Sequence, residues 1–211
     1  MSGKFITFEG GEGVGKSTQV KLLAEKLREL GYKVFVTREP GGAELGEKIR
    51  SLLKTSTQVD PICELLLIFA ARRDHFVKLI VPHLENNEIV ICDRFYDSSL
   101  VYQGILKNVQ IERIMELKQM TLGYFEPDLT IILDMDVEKS RKRLAERKLI
   151  ADEYDSMNAE KHELVRQGFK KISEIFSFRS VLINAGGSER NVFSKVFNEV
   201  EKRILNEALK V

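Results

Sequence analysis

The chain has 211 residues, 43% of them hydrophobic and 31% charged, with 33 Lys and Arg set against 32 Asp and Glu. That composition excludes extended disorder and gives enough chain for one α/β domain with a full core. A net charge of +1 supplies no field that would hold nucleic acid or an acidic membrane surface, so the expected phosphate-bearing partner is small.

Cys63 and Cys92 are the only cysteines, and each lies in an apolar segment. Both are expected as buried free thiols, as in a reducing compartment. The chain runs straight into a strand pattern with no room for a leader, and no apolar run approaches the roughly 20 residues of a bilayer span. A cytoplasmic location is expected.

Phe5 to Phe8 reads as a strand. It leads into Gly10-Gly11-Glu12-Gly13-Val14-Gly15-Lys16-Ser17-Thr18, and a helical pattern follows from Ser17 to Leu30. Strand, glycine loop and helix in this order form a phosphate cradle. The glycines let successive N–H groups turn inward, the helix N-terminus adds positive potential, Lys16 reaches the β and γ phosphates, and the Ser17 hydroxyl is suited to ligate Mg²⁺. Residues Gly10 to Thr18 are therefore expected to bind a nucleoside triphosphate.

Beyond the stop signal at Gly31, Lys33–Val36 is expected as a second strand that delivers Thr37-Arg38-Glu39-Pro40-Gly41-Gly42. A helix over Glu44–Leu53 presents Leu45, Ile49, Leu52 and Leu53 for packing on the sheet. Another helix, Pro61–Phe76, carries Leu65, Leu66, Phe69 and Phe76 as a core stripe and ends in Arg72-Arg73-Asp74-His75. Pro82 opens or kinks a further helix. Ile89–Cys92 is a short strand that brings Asp93-Arg94 to its C-terminal end.

Helical segments are expected from Ser98 and from Gln110 to Leu122, then a buried strand over Leu129–Leu133 and a basic helix over Val137–Lys148. Residues 149–160 show weak periodicity and read as a mobile connection. A helix over Lys161–Phe176, a strand over Ser180–Ile183 and a closing helix over Glu189–Leu209 complete the chain. The alternation predicts a single doubly wound α/β domain with a five-stranded parallel sheet and helices on both faces. Ligands of such sheets bind beyond the carboxyl ends of the strands, where Glu9, Glu12, Lys16, Arg38, Glu39, Asp93 and Arg94 would gather. Arg38 and Arg94, from two strand ends, suit a second phosphate arriving opposite the first.

The loop motif, Thr37-Arg38-Glu39-Pro40-Gly41-Gly42, Phe69-Ala70-Ala71-Arg72-Arg73 and the run from Asp93-Arg94 to Tyr102-Gln103-Gly104 occur in the order found in thymidylate kinases. The chain resembles that family over nearly its whole length. The resemblance implies a nucleoside monophosphate kinase of the P-loop type, transferring the γ-phosphoryl group of ATP to dTMP with Mg²⁺, and working as a homodimer. Lys16 and the loop would hold the donor, and Arg38 and Arg94 the acceptor phosphate. Asp93 would orient Arg94 or a metal-bound water, so Ser17 and Asp93 are the metal-side candidates.

On the acceptor side the resemblance implies Phe69 as the face under thymine, with a core role as its alternative, and Arg73 at a base carbonyl, with Arg72 competing. Gln103 would face the pyrimidine edge, Tyr102 would wall the sugar, Ser98 would line the same site, and Glu12 would lie near the 3′-hydroxyl. Two departures stand out. Gly13 occupies a loop position that is arginine in some relatives, and the expected lid motif of aspartate, arginine, apolar residue and glutamate reads Asp152-Glu153-Tyr154-Asp155. The donor-side cation must then come from the basic helix, with Arg147 favoured for phosphate contact and Arg143 for phosphate or adenine, in a lid expected around 143–160. A guanine-reading Asn-Lys-x-Asp sequence is absent, which weakens a GTPase reading.

Overall fold

The structure, a computed structural model, describes residues 3–56, 58–146, 154 and 157–206. Along the chain come β1 (Lys4–Glu9), α1 (Lys16–Glu29), β2 (Val34–Arg38), α2 (Glu44–Thr55), α3 (Pro61–His75), α4 (Val81–Glu85), β3 (Ile89–Asp93), α5 (Tyr96–Ser99) and α6 (Ile111–Leu122). They are followed by β4 (Leu129–Asp134), α7 (Val137–Glu146), α8 (Ala159–Ile175), β5 (Ser180–Asn184) and α9 (Glu189–Val200). The five strands pair in the order β2-β3-β1-β4-β5, and the pairings are parallel throughout. This is the doubly wound sheet that the alternation predicts.

Successive strand residues face opposite sides, so the sheet divides its apolar residues between two cores. Phe5, Val90, Cys92 and Ile132 pack with α3, α5, α6 and α8 on one side. Ile6, Phe8, Ile91, Ile131 and Ile183 pack with α1 and α9 on the other. With both faces covered, β1, β3 and β4 read as continuous apolar runs rather than alternating ones.

Helix α3 opens on Asp60, whose carboxylate accepts from the N–H groups of Ile62 and Cys63, with Pro61 as the first helical residue. It continues through a π-helical turn, Phe76–Ile80, directly into α4. The wide turn lies just before Pro82, which has no N–H to donate and crowds the preceding turn. The expected kink is thus absorbed without breaking the rod.

Several expectations need correction. Cys63 is exposed because it sits in the first turn of α3, whereas Cys92 is buried in a central strand. Helix α2 packs on α3 rather than on the sheet, which leaves Leu45 and Leu52 exposed while Ile49 is buried. Leu66 likewise faces outward from the stripe on α3. Among the described residues no helix is long and apolar enough to cross a membrane.

Candidate active site

The phosphate loop leaves β1 at the sheet's centre, and its conformation is dictated by what crowds it. Gly10 has φ of 133°, and a β-carbon there would sit 2.5 Å from the Leu133 carbonyl oxygen. Gly13 has φ of 75°, and its β-carbon would collide with the Ser140 carbonyl oxygen. Only glycine fits at either place. An arginine at position 13 is therefore excluded by α7 lying across the loop.

Gly15 caps α1 without any side-chain hydrogen bond, and the first turn of the helix contains no acidic residue. Its first N–H groups and the positive end of its dipole are left for an anion. Lys16 folds back into the loop, where its ammonium donates to the carbonyl oxygens of Gly10 (2.9 Å) and Gly11 (2.7 Å). The Ser17 hydroxyl donates to Asp93 Oδ2 at 2.8 Å, so a hydroxyl and a carboxylate stand together beside the loop. That oxygen pair matches the chemistry of Mg²⁺, which takes one or two protein oxygens and completes its shell with phosphate and water. No cluster of three His, Cys, Asp or Glu side chains that could hold a metal occurs among the described residues.

Arg94 follows β3 in a left-handed conformation, φ 74°, which costs a residue with a β-carbon about 1–2 kcal/mol. The turn brings its guanidinium to the loop: Nη1 donates to Gly10 O and Ser98 Oγ, both at 3.1 Å. Nη2 meets both oxygens of Glu12 at 2.7 Å. Tyr102 donates its hydroxyl to Glu12 Oε1 at 2.9 Å and lies beneath the guanidinium, 5.1 Å from its ring centre. Below them Glu9, fully buried, accepts from Phe95 N at 2.7 Å and from Ser98 Oγ at 2.6 Å, bracing the turn.

The charges in this cluster are mutually set. Burial opposes ionisation of Glu12, but Arg94 and Lys16 overcome it and hold its carboxyl down at about 2. Burial and the negative charge of Asp97 push Glu9 up to about 7. Burial, with Arg94 nearby, pulls Lys16 down to about 8. Well above pH 8 Lys16 is then expected to be largely neutral, and a bound triphosphate would restore its charge. ATP binding at pH 9 is expected to take up roughly 0.9 of a proton at Lys16, against about 0.2 at pH 7.5. Calorimetry in buffers of different ionisation enthalpy measures this uptake; none at pH 9 would show that Lys16 stays charged in the empty loop.

A cleft opens in front of Arg94. Glu12, Arg94, Ser98, Tyr102 and Gln103 line it, together with Glu64, Ile68 and Arg72 from α3, Arg50 and Lys54 from α2, and Tyr154. The structure corrects the phase read for α3. Phe69 is core, covered by the Arg72 guanidinium 4.6 Å from its ring centre, and Ile68 takes the cleft position. Arg73 points away and donates to Thr121 O at 2.7 Å, leaving Arg72 at the cleft.

Arg72 is held by Glu39 (2.6 Å), Ser99 Oγ (3.1 Å) and Phe95 O (3.2 Å), and Glu39 is itself braced by His75 at 2.9 Å. Arg38 ends β2 in register with Asp93, as expected, but its guanidinium is half-exposed and pairs with Glu47 at 2.9 and 3.0 Å rather than lining the cleft. Arg50, which the motif reading missed, lines the cleft instead and donates to Pro40 O at 3.0 Å. On the donor side, Arg143 Nη1 lies 3.9 Å from where a β-carbon of Gly15 would be, so this guanidinium overhangs the loop. Arg147, Asp152, Glu153 and Asp155 lie outside the described residues.

Known proteins repeat this architecture along the whole chain. The profile of the family described as thymidylate kinase matches residues 8–196. A thymidylate kinase of Synechococcus sp. (strain JA-3-3Ab) is 42% identical over 203 residues, covering 95% of this chain and 97% of its own. One from Caldicellulosiruptor saccharolyticus is 41% identical over 213 residues, covering 100% and 99%. The crystal structure of thymidylate kinase from Ehrlichia chaffeensis superposes with a TM-score of 0.77 at 36% identity, over 95% of this chain and 99% of that one. With a phosphate loop, an arginine abutting it and a cleft beside both in a doubly wound sheet, and with this likeness over nearly its full length, the chain belongs to the thymidylate kinase family.

Proposed function

We propose that the chain, which as a thymidylate kinase phosphorylates dTMP at the expense of ATP, carries out the transfer across the contact between Arg94 and the phosphate loop. The observation that supports this most is the bond from Arg94 Nη1 to Gly10 O at 3.1 Å. A cation suited to the acceptor phosphate thereby touches the cradle of the donor triphosphate. Two anions gripped on either side of that contact would have attacking oxygen and phosphorus close and in line, and alignment with charge neutralisation is most of what phosphoryl transfer requires.

In this reading the acceptor phosphate takes over the Arg94 fork that Glu12 occupies in the empty cleft. Glu12 is an anion at any working pH, so it acts as a place-holder for that phosphate. Once displaced, it would accept from the deoxyribose 3′-hydroxyl, the role that the family resemblance implies for it. Arg38 joins the grip by exchanging Glu47 for the phosphate, a small cost because exposed ion pairs contribute only about 0–1 kcal/mol. Lys16 leaves the Gly10 and Gly11 carbonyls for the β and γ oxygens of ATP. Ser17 and Asp93 would hold Mg²⁺, which when bound neutralises the phosphate charge. Arg143 supplies the donor-side guanidinium, and Arg147 adds to it.

The acceptor nucleoside lies along Ile68, Arg72, Tyr102 and Gln103. Its acceptor oxygen is already anionic at neutral pH, so no covalent nucleophile is needed. A coupled ADP-release assay over dTMP, dUMP, UMP, CMP and AMP tests the reading. Turnover should depend on the monophosphate and be fastest with dTMP; ATP hydrolysis indifferent to dTMP would point to a nucleotide switch. We further place the protein in the cytoplasm as a homodimer, for which light scattering at several concentrations should give twice the 24.2 kDa chain mass.

A further inference from the structure

We infer that Glu64 decides which pyrimidine the cleft accepts, by fixing the Gln103 amide so that its carbonyl oxygen faces the acceptor base. The inference rests on the proposed binding of the acceptor nucleoside in this cleft. Both side chains are buried, at 4% and 2% exposure, yet both line the cleft. Gln103 Nε2 donates to Glu64 Oε1 at 2.6 Å and lies 3.3 Å from the Tyr154 hydroxyl. The Tyr154 hydroxyl also donates to Glu64 Oε1, and Lys107 Nζ donates to Oε2 at 2.5 Å.

A glutamine amide presents two donors on nitrogen and an acceptor on oxygen, and either end can be turned to a ligand. Glu64 removes that freedom. A carboxylate flanked by the Lys107 ammonium accepts and does not donate, so a reversed amide would set oxygen against oxygen 2.6 Å apart. With nitrogen committed to Glu64, the carbonyl oxygen is what Gln103 has left for the cleft.

Across the same cleft Arg72 spends three of its N–H groups on Glu39, Ser99 and Phe95. A guanidinium carries five and no acceptor, so any group it turns to a ligand is a donor. An acceptor from Gln103 beside a donor from Arg72 complements N3–H and O4 of thymine. Cytosine offers the reverse pattern, an N3 acceptor beside an N4 amine, and is mismatched at both. Glu64 touches no substrate atom in this scheme; it is a positioning residue that turns an ambivalent amide into a reader of the N3 proton.

The test compares kcat/KM for dTMP and dCMP in the full chain. Glu64→Gln keeps shape but can donate to the Gln103 oxygen, releasing the amide to reverse. The ratio of dTMP to dCMP is expected to fall roughly 10- to 100-fold, through a higher KM for dTMP with kcat changed far less. Lys107→Met, which removes a partner of Glu64 but leaves the bond to Gln103, should keep the wild-type ratio. Gln103→Met should lower the ratio by itself, and Glu64→Gln added to it should lower it no further, since the effect runs through that one amide.

A wild-type ratio in Glu64→Gln, or an equal loss in Lys107→Met, would overturn the inference. Were Glu64→Gln unable to fold, an unchanged ratio in Gln103→Met would overturn it equally. A wild-type protein that does not phosphorylate dTMP would instead remove the underlying reading, which separates the two failures.

Discussion

Replacing Arg94 with alanine is expected to lower kcat/KM for dTMP by about 10²–10³-fold, since truncating one member of a buried charge pair costs roughly 2–5 kcal/mol. Two losses combine in that figure. The acceptor phosphate loses its cation, and Glu12, now without its partner at 2.7 Å, is left beside the place that phosphate must take. ATP affinity should change by no more than about threefold, because the loop N–H groups and Lys16 remain. Arg94→Lys should recover part of the loss: it restores charge without the planar fork that meets two oxygens at once. Steady-state kinetics with each substrate varied in turn checks both. Equal loss for ATP and dTMP would mean that Arg94 serves the loop's structure rather than the acceptor.

Lys16→Met should lower kcat by about 10²–10³-fold, the usual cost of removing one preorganised contact to transition-state charge. Among the described residues the ammonium donates to the carbonyl oxygens of Gly10 and Gly11, and methionine fills the same buried space. The fold should therefore survive, and dTMP binding with it. Circular dichroism and equilibrium binding of dTMP separate this from collapse of the loop, in which both would be lost together.

The strands and the phosphate loop were legible because each rests on a local rule. Apolar runs of four to six residues bounded by Gly, Pro or charge are buried parallel strands, and Gly10, Gly15 and Lys16 are set by a spacing that only one loop geometry uses. The acceptor wall was less legible, and α3 shows why. From Pro61 to Ala71 the helix is apolar almost all round, so hydrophobic periodicity does not fix which face meets the ligand. Phe69 and Arg73 as base contacts lie one residue, about 100° around the helix, from the cleft face, whereas their alternatives, a core Phe69 and Arg72, match it.

A signal was present in the polar exceptions. Glu64 and Arg72, eight residues apart with Ile68 midway, share one stripe, and that stripe is the cleft face. Arg38 was placed correctly at its strand end, but its pairing with Glu47 depends on the tertiary arrangement that brings α2's Glu47 to it, which no spacing reveals. Arg50 was missed for the same reason. With glycine at position 13, the donor-side guanidinium of the proposed transfer is that of Arg143, whose Nη1 lies near Gly15.

The most direct measurement is a crystal structure with dTMP and an unreactive ATP analogue bound together. The monophosphate should sit on Arg94, with Glu12 displaced from the fork, Arg38 swung from Glu47, Lys16 on the analogue's phosphates and Arg143 over them. A monophosphate bound away from Arg94, with Glu12 still seated in its fork, would contradict the account.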